Sequence, residues 1–196
     1  MEKNLELRMY GLVPYNVSEI QKGIQFGHAV VEYGQMAKRE MSPAVSSLYN
    51  DWADNWKTFI ILNGGTSNHS QNRYQEGEFA GSMEAHLATL DEIGIPNAAF
   101  YEPDLNDMLS AICFIVDERV FNKEIYPEFG DWLVEKHFSY MSDNMITSEK
   151  IDRMRSEGYF ENGSPKEKKL YEEWADIVGG NKNIFLRDFL KNFRLA

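Results

Sequence analysis

The stretch "QFGHA", Gln25 to Ala29, sets a glutamine and a histidine one helical turn apart in an otherwise apolar, glycine-punctuated run. A histidine so placed is either a catalytic or ligand-binding group or a core residue that happens to be polar. A second group, "EPDLND", gathers Glu102, Asp104 and Asp107 just after a strand-like segment. Carboxylates at a strand's carboxyl end line the crevice where open α/β sheets bind ligands. The same segment also suits a solvated hairpin turn, because Pro-Asp and Asn-Asp favour turns. A third group, "NGGTSN", resembles a phosphate-cradling loop but lacks GxGxxG or a GK[ST] ending, and a plain strand-to-loop turn accounts for it as well. The histidines at 28, 69, 86 and 137 have no HxxxH spacing and no cysteine partners, so no metal site is expected.

These groups need elements to hold them. "NLELRMYGLV" alternates and then turns continuously apolar, as a strand entering a core does, and Pro14 ends it. Ser18 is the expected N-cap of a helix in which Ile20, Ile24, His28, Val31 and Gln35 recur at helical spacing. On that spacing alone His28 reads as a core histidine, with Gln25 one turn away as its hydrogen-bond partner. "SPAVSSLYNDWADNW" reads as a short helix and "KTFIILN" as a buried strand. The polar, glycine-rich run from Gly64 to Gly81 reads as a long loop, expected to be the most mobile part of the first 120 residues. "SMEAHLATLDEIG" is a helix capped by Ser82 and ended by Gly94, with Met83, Leu87 and Leu90 inward. "PNAAFYE" and "LSAICFIV" are two further strands.

This order implies a mostly parallel or mixed sheet with helices on both faces: residues 1–120 form the α/β domain. Residues 121–196 read as a helical extension packed on it, with helices in "KEIYPEFGDWLVEKHFSYM", "SEKIDRMRSEG", "PKEKKLYEEWADIV" and "NIFLRDFLKNFRLA". Phe185, Phe189 and Phe193 recur every four residues in the last of these, a stripe that must be buried.

Composition narrows the function. Cys113, alone in "AICFIV", allows no internal disulfide and points to a buried strand position and a reducing cytoplasm. No apolar run approaches the ~20 residues of a membrane helix, and "MEKNLELRMYG" lacks the layout of a secretory signal. The net charge is −11. Residues 1–120 carry 17 acidic and 8 basic side chains (−9), and residues 121–196 carry 14 and 12 (−2). Polyanion binding draws its affinity from Lys and Arg, so large RNA is a poor default partner.

Taken together, "PYNVSEIQKGIQFGHAVVEY", "FIILNGG", "MEAHLATLDEIGIPNAAFYEPDL" and "LSAICFIVDE" resemble the type 2 peptidyl-tRNA hydrolase family, above all a divergent bacterial and phage branch with "EPDL" before the last strand. The resemblance covers roughly residues 5–120. It implies a three-layer α/β/α sandwich with a four-stranded mixed sheet, a homodimer, and hydrolysis of the ester joining a peptide to the tRNA 3′ end without a cofactor. Carried over, Gln25 and His28 match the family's Q-x-x-H-A motif, and Glu102 or Asp104 matches its aspartate. The family's lysine, seven positions before the histidine, is here Gln21, with Lys22 one residue later. The family's glycine- and threonine-rich segment is reduced to "PDLNDMLSA".

Under this reading Asp104 or Glu102 serves as base, His28 orients, and Lys22 or the amides of Gly64 and Gly65 stabilise the oxyanion. Gln25, Thr66 and Asn106 complete the substrate-binding set. Two alternatives come from other classes. One is a module that binds a small nucleotide-derived ligand in the same cleft, with or without cleaving it, which suits the acidic surface. The other is a protein-interaction role for the helical extension.

Overall fold

Four apolar runs form one mixed sheet in a computed structural model that describes residues 4–39, 42–67, 81–138, 152, 155, 156 and 163–196. The strands are β1 (Leu7–Pro14), β2 (Thr58–Gly65), β3 (Asn97–Glu102) and β4 (Met108–Asp117). Their spatial order is β2-β1-β4-β3. β1 and β2 run parallel, and β4 is antiparallel to both of its neighbours. The carboxyl ends of β1, β2 and β3 therefore lie at one end of the sheet. β4, the most buried strand, has nine of its ten residues buried.

One face of the sheet is covered by α1 (Glu19–Arg39) and α2 (Pro43–Asp51). Met9, Val13, Ala111 and Cys113 pack there with Phe26, Ala29 and Tyr33 of α1 and with Val45 and Trp52. Gly11 is required here, since a Cβ would come within 2.2 Å of the Phe26 ring. The opposite face carries Leu12 and Phe114. Met83 of α3 (Ser82–Ile93) reaches Gly64 beside Leu12, and Phe114 stacks on Tyr10 and meets Phe189. Cys113 is buried within β4 and its thiol donates to the Ala29 carbonyl at 3.2 Å. Burial pushes that thiol's pKa up.

Four local expectations need correcting. The helix expected over residues 183–196 spans Asn181–Leu190 and then gives way to a turn and a β-bridge at Leu195, so Phe193 lies beyond it. The stripe Ile20, Ile24, His28 and Val31 faces outward: Ile20 is 78% exposed and Val31 60%. The buried stripe of α1 is Lys22, Gln25, Phe26, Ala29, Tyr33 and Ala37, which has the same period and includes two polar residues. Ser82 does not cap α3. It is the first helical residue, and its hydroxyl donates to the Gly64 carbonyl at 3.0 Å and accepts from the Thr66 amide at 2.8 Å. "KEIYPEFGDWLVEKHFSYM" begins as turns, with the helix starting only after Pro127, at Phe129. Most of the expected loop from Gly64 to Gly81, and most of "SEKIDRMRSEG", lie outside the described residues.

The chain divides into two compact units, Met1–Glu118 with Phe189–Ala196, and Arg119–Asp188. In the first unit the last residues return to the sheet. Asn63 donates to the Arg194 carbonyl at 2.9 Å, Ala196 donates to the Ile61 carbonyl at 3.0 Å, and Leu195 pairs with Leu62. The edge of β2 is thus partly covered. The second unit comprises α4 (Glu118–Phe121, from its second residue), α5 (Phe129–Phe138), α6 (Pro165–Ile177) and most of α7 (Asn181–Leu190). Its core joins Trp132, Leu133, Val134, Trp174 and Val178. Ser164 caps α6 by accepting from the Glu167 amide, and Arg187 donates to the carbonyls of Arg119 and Tyr126.

Candidate functional site

The polar residues that α1 buries meet the acidic end of β3. Gln25 Nε2 donates to Glu102 Oε2 at 2.6 Å, and Gln25 Oε1 accepts from Ser110 Oγ at 2.8 Å. A carboxylate only accepts, so the amide nitrogen must face Glu102, and the oxygen is left for the serine hydroxyl. Residues 98, 100 and 102 of β3 share the face toward α1, as a strand's two-residue period dictates.

Ser110 reaches the network through an irregularity in β4. Phe100 pairs with Ala111 and Tyr101 with Leu109, so the register skips Ser110. An extra residue of this kind is a β-bulge, which re-aims the side chain it carries. Ser110 is fully buried, and the Phe100 carbonyl lies 3.1 Å from its hydroxyl.

The other predicted site residues divide by position. His28 follows Gln25 by one turn, is exposed, and lies flat on Phe100 with ring centroids 4.5 Å apart. It is not a core histidine. Lys22 precedes Gln25 by one turn and is 9% exposed, whereas Gln21 faces solvent. The inward position is therefore held by Lys22, whose ammonium pairs with Glu19 at 2.8 Å. Asp104 is exposed on the one-turn helix Pro103–Leu105, and its amide donates to Glu102 Oε1 at 3.4 Å. Asn106 and Asp107 follow with φ of 56° and 54°, the left-handed conformation that Asn and Asp tolerate best.

Gly64, Gly65 and Thr66 do not join this group. Gly64 and Gly65 end β2 and Thr66 follows it, and two strands separate β2 from β3, a span of about 14 Å at ordinary strand spacing. The Gly65 amide donates to Asn63 Oδ1 at 2.9 Å and the Thr66 amide to Ser82 Oγ, so neither is aimed at the Glu102 corner. Gly65 has φ +88°, and a Cβ there would meet Ser82 Oγ at 2.1 Å.

His86, on α3 near Gly64, has a different setting. Its ring contacts Phe189 and Phe193 edge-on, at 5.7 and 4.9 Å. Burial lowers its pKa, and a hydrogen bond with the Gly64 backbone opposes that shift. A histidine whose folded pKa lies below its ordinary value near 6.5 binds fewer protons folded than unfolded between the two. Its contribution is complete above that ordinary value and is lost as pH falls through the folded one. Thermal melts from pH 7.5 to 5 should therefore fall more steeply for the parent protein than for His86→Phe. Parallel curves would remove His86 from the acid response.

Among the described residues, no group of three or more His, Cys, Asp or Glu is arranged to hold a metal ion, and no helix is long and apolar enough to cross a membrane. No protein-family model matches the sequence, and no curated protein matches it.

Proposed function

We propose that the corner between α1 and the end of β3 hydrolyses an ester of the peptidyl-tRNA type. The observation that carries this reading is the 2.6 Å hydrogen bond between Gln25 and Glu102, which ties the Q-x-x-H helix motif to a carboxylate at a strand's carboxyl end. Glu102 is the base: half-buried, and held as an acceptor by the Gln25 amide. It takes a proton from water as the water oxygen attacks the ester carbonyl. The tetrahedral intermediate then expels the ribose 3′ oxygen, which recovers a proton from Glu102. The products are tRNA and a free peptide carboxylic acid, which ionises by releasing water's second proton to solvent, so atoms and protons balance. Lys22 supplies positive charge to the oxyanion by exchanging its pairing with the exposed Glu19. The exposed His28 ring, flat on Phe100, orients the 3′ end. The fit with the type 2 peptidyl-tRNA hydrolase resemblance adds support, residue by residue, at Gln25, His28 and Glu102.

The test is release of the acyl group from an N-blocked aminoacyl-tRNA by the full chain, without added metal. Release that fails when Glu102 is altered supports the reading. A net charge of −11 favours a second ligand class, a small nucleotide-derived molecule in the same cleft. A melting-temperature rise with free nucleotides, and no release from the charged tRNA, would replace the first reading with this one.

A further inference from the structure

Ser110 is not among the site residues that the sequence suggests, yet its hydroxyl faces two acceptors, Gln25 Oε1 at 2.8 Å and the Phe100 carbonyl at 3.1 Å. A hydroxyl has one proton, so it donates to only one of them at a time. With Glu102 ionised, the order is fixed: Ser110 donates to Gln25 Oε1, and Gln25 Nε2 donates to Glu102. Once Glu102 holds a proton it becomes a donor. Its best partner on Gln25 is then the amide oxygen, which a half-turn of the terminal amide supplies. That torsion is broad and roughly two-fold, so the half-turn needs little rearrangement. The turned amide donates to Ser110 Oγ, and Ser110 redirects its proton to the Phe100 carbonyl, which is already in reach.

We propose that Ser110, Gln25 and the Phe100 carbonyl form a reversible hydrogen-bond relay in which Ser110 is the positioning residue that lets Glu102 take up and return a proton. Its role in turnover rests on the ester-hydrolysis reading, although the relay itself does not. Every polar group stays satisfied in both states, as a buried network requires. The bulge is what makes this possible, because a regular ladder would not aim the Ser110 hydroxyl at α1. The other titratable groups around Glu102 are Lys22 and His28, one turn either side of Gln25, Glu19 beyond Lys22, and Asp104 and Asp107 on the turn after β3. None of them lies on the Ser110–Gln25–Glu102 path.

The experiment uses the full chain labelled with ¹³C and ¹⁵N. The Glu102 carboxyl carbon reports its protonation, and cross-relaxation from the Gln25 side-chain amide protons reports which neighbour they face. On acidification the Gln25 contacts should move from Glu102 to the Ser110 methylene as the carboxyl carbon titrates. In Ser110→Ala the movement should vanish, since a methyl group cannot accept, and Ser110→Thr should restore it. A Gln25 amide that keeps its contacts throughout the Glu102 titration overturns the relay, whether or not any ester is cleaved.

Kinetics give the second arm. Ser110→Ala should lower kcat about tenfold with KM nearly unchanged. Gln25→Met, close in shape to the parent residue, should match it, and the double variant should be no worse than Gln25→Met alone. Additive losses would mean that Ser110 does not act through Gln25, which also overturns the proposal. A parent protein that shows the contact switch but cleaves no ester would sink the enzymatic reading and leave the relay standing.

Discussion

Glu102→Gln is expected to cut acyl release from an N-blocked aminoacyl-tRNA by about 10²-fold or more, with the melting temperature close to that of the parent protein. The substitution keeps size and leaves an oxygen able to accept from Gln25, so the α1–β3 contact survives while the base is lost. Asp104→Ala provides the contrast. Its side chain is exposed and only its backbone amide reaches Glu102, so the loss should be much smaller. If the two variants exchange these outcomes, Asp104 is the base and Glu102 only shapes the turn. If neither lowers the rate, the hydrolytic site lies elsewhere.

Deleting residues 183–196 should yield a protein that aggregates or fails to fold, seen as loss from the soluble fraction and absence of a cooperative melt. In the first unit the deletion strips Phe189 and Phe193 from His86 and Phe114 and removes the pairing of Leu195 with Leu62. Burying an aromatic side chain of this kind is worth roughly 1.5–3 kcal/mol, against a total stability of about 5–15 kcal/mol for an ordinary domain. In the second unit it removes Arg187, which is 2% exposed, pairs with Glu128 and lies over the Trp174 ring. It also reopens the edge of β2 to other chains. A soluble truncation with an unchanged melting temperature would show that these contacts are dispensable.

The sheet was legible because its strands announce themselves. A run such as "AICFIV" has the length and branching of a buried strand, and all four strand segments were found where apolar runs of that length placed them. The orientation of α1 was not legible. Two stripes of the same period run along it, and the one richer in isoleucine faces water. The buried stripe contains Lys22 and Gln25, polar residues that periodicity assigns to the surface. Local rules are broken most often at functional sites, which is why the reversed face and the candidate site coincide.

Ser110 was missed for a related reason. A hydroxyl inside "MLSAICFIVD" had to find a buried acceptor, and that was the available signal. Which acceptor it found depends on a register shift that no pattern in one strand encodes. Sequence places Gly64, Gly65 and Thr66 at the end of one strand and the carboxylates at the end of another, but does not show how many strands lie between them.

The bulge at Ser110 also changes how β4 responds to the loss of a single codon. Losing one residue from a strand ordinarily turns every later side chain to the opposite face. Here Leu109 already stands across from Tyr101 and Ala111 across from Phe100, so excising Ser110 leaves both pairings in step. The frame of Ile112 to Asp117 against β1 is likewise preserved. By the logic of the ladder, the strand does not need this residue. What the excision removes is the hydroxyl that faces Gln25, so at this one position an in-frame deletion separates the demands of the architecture from those of the chemistry.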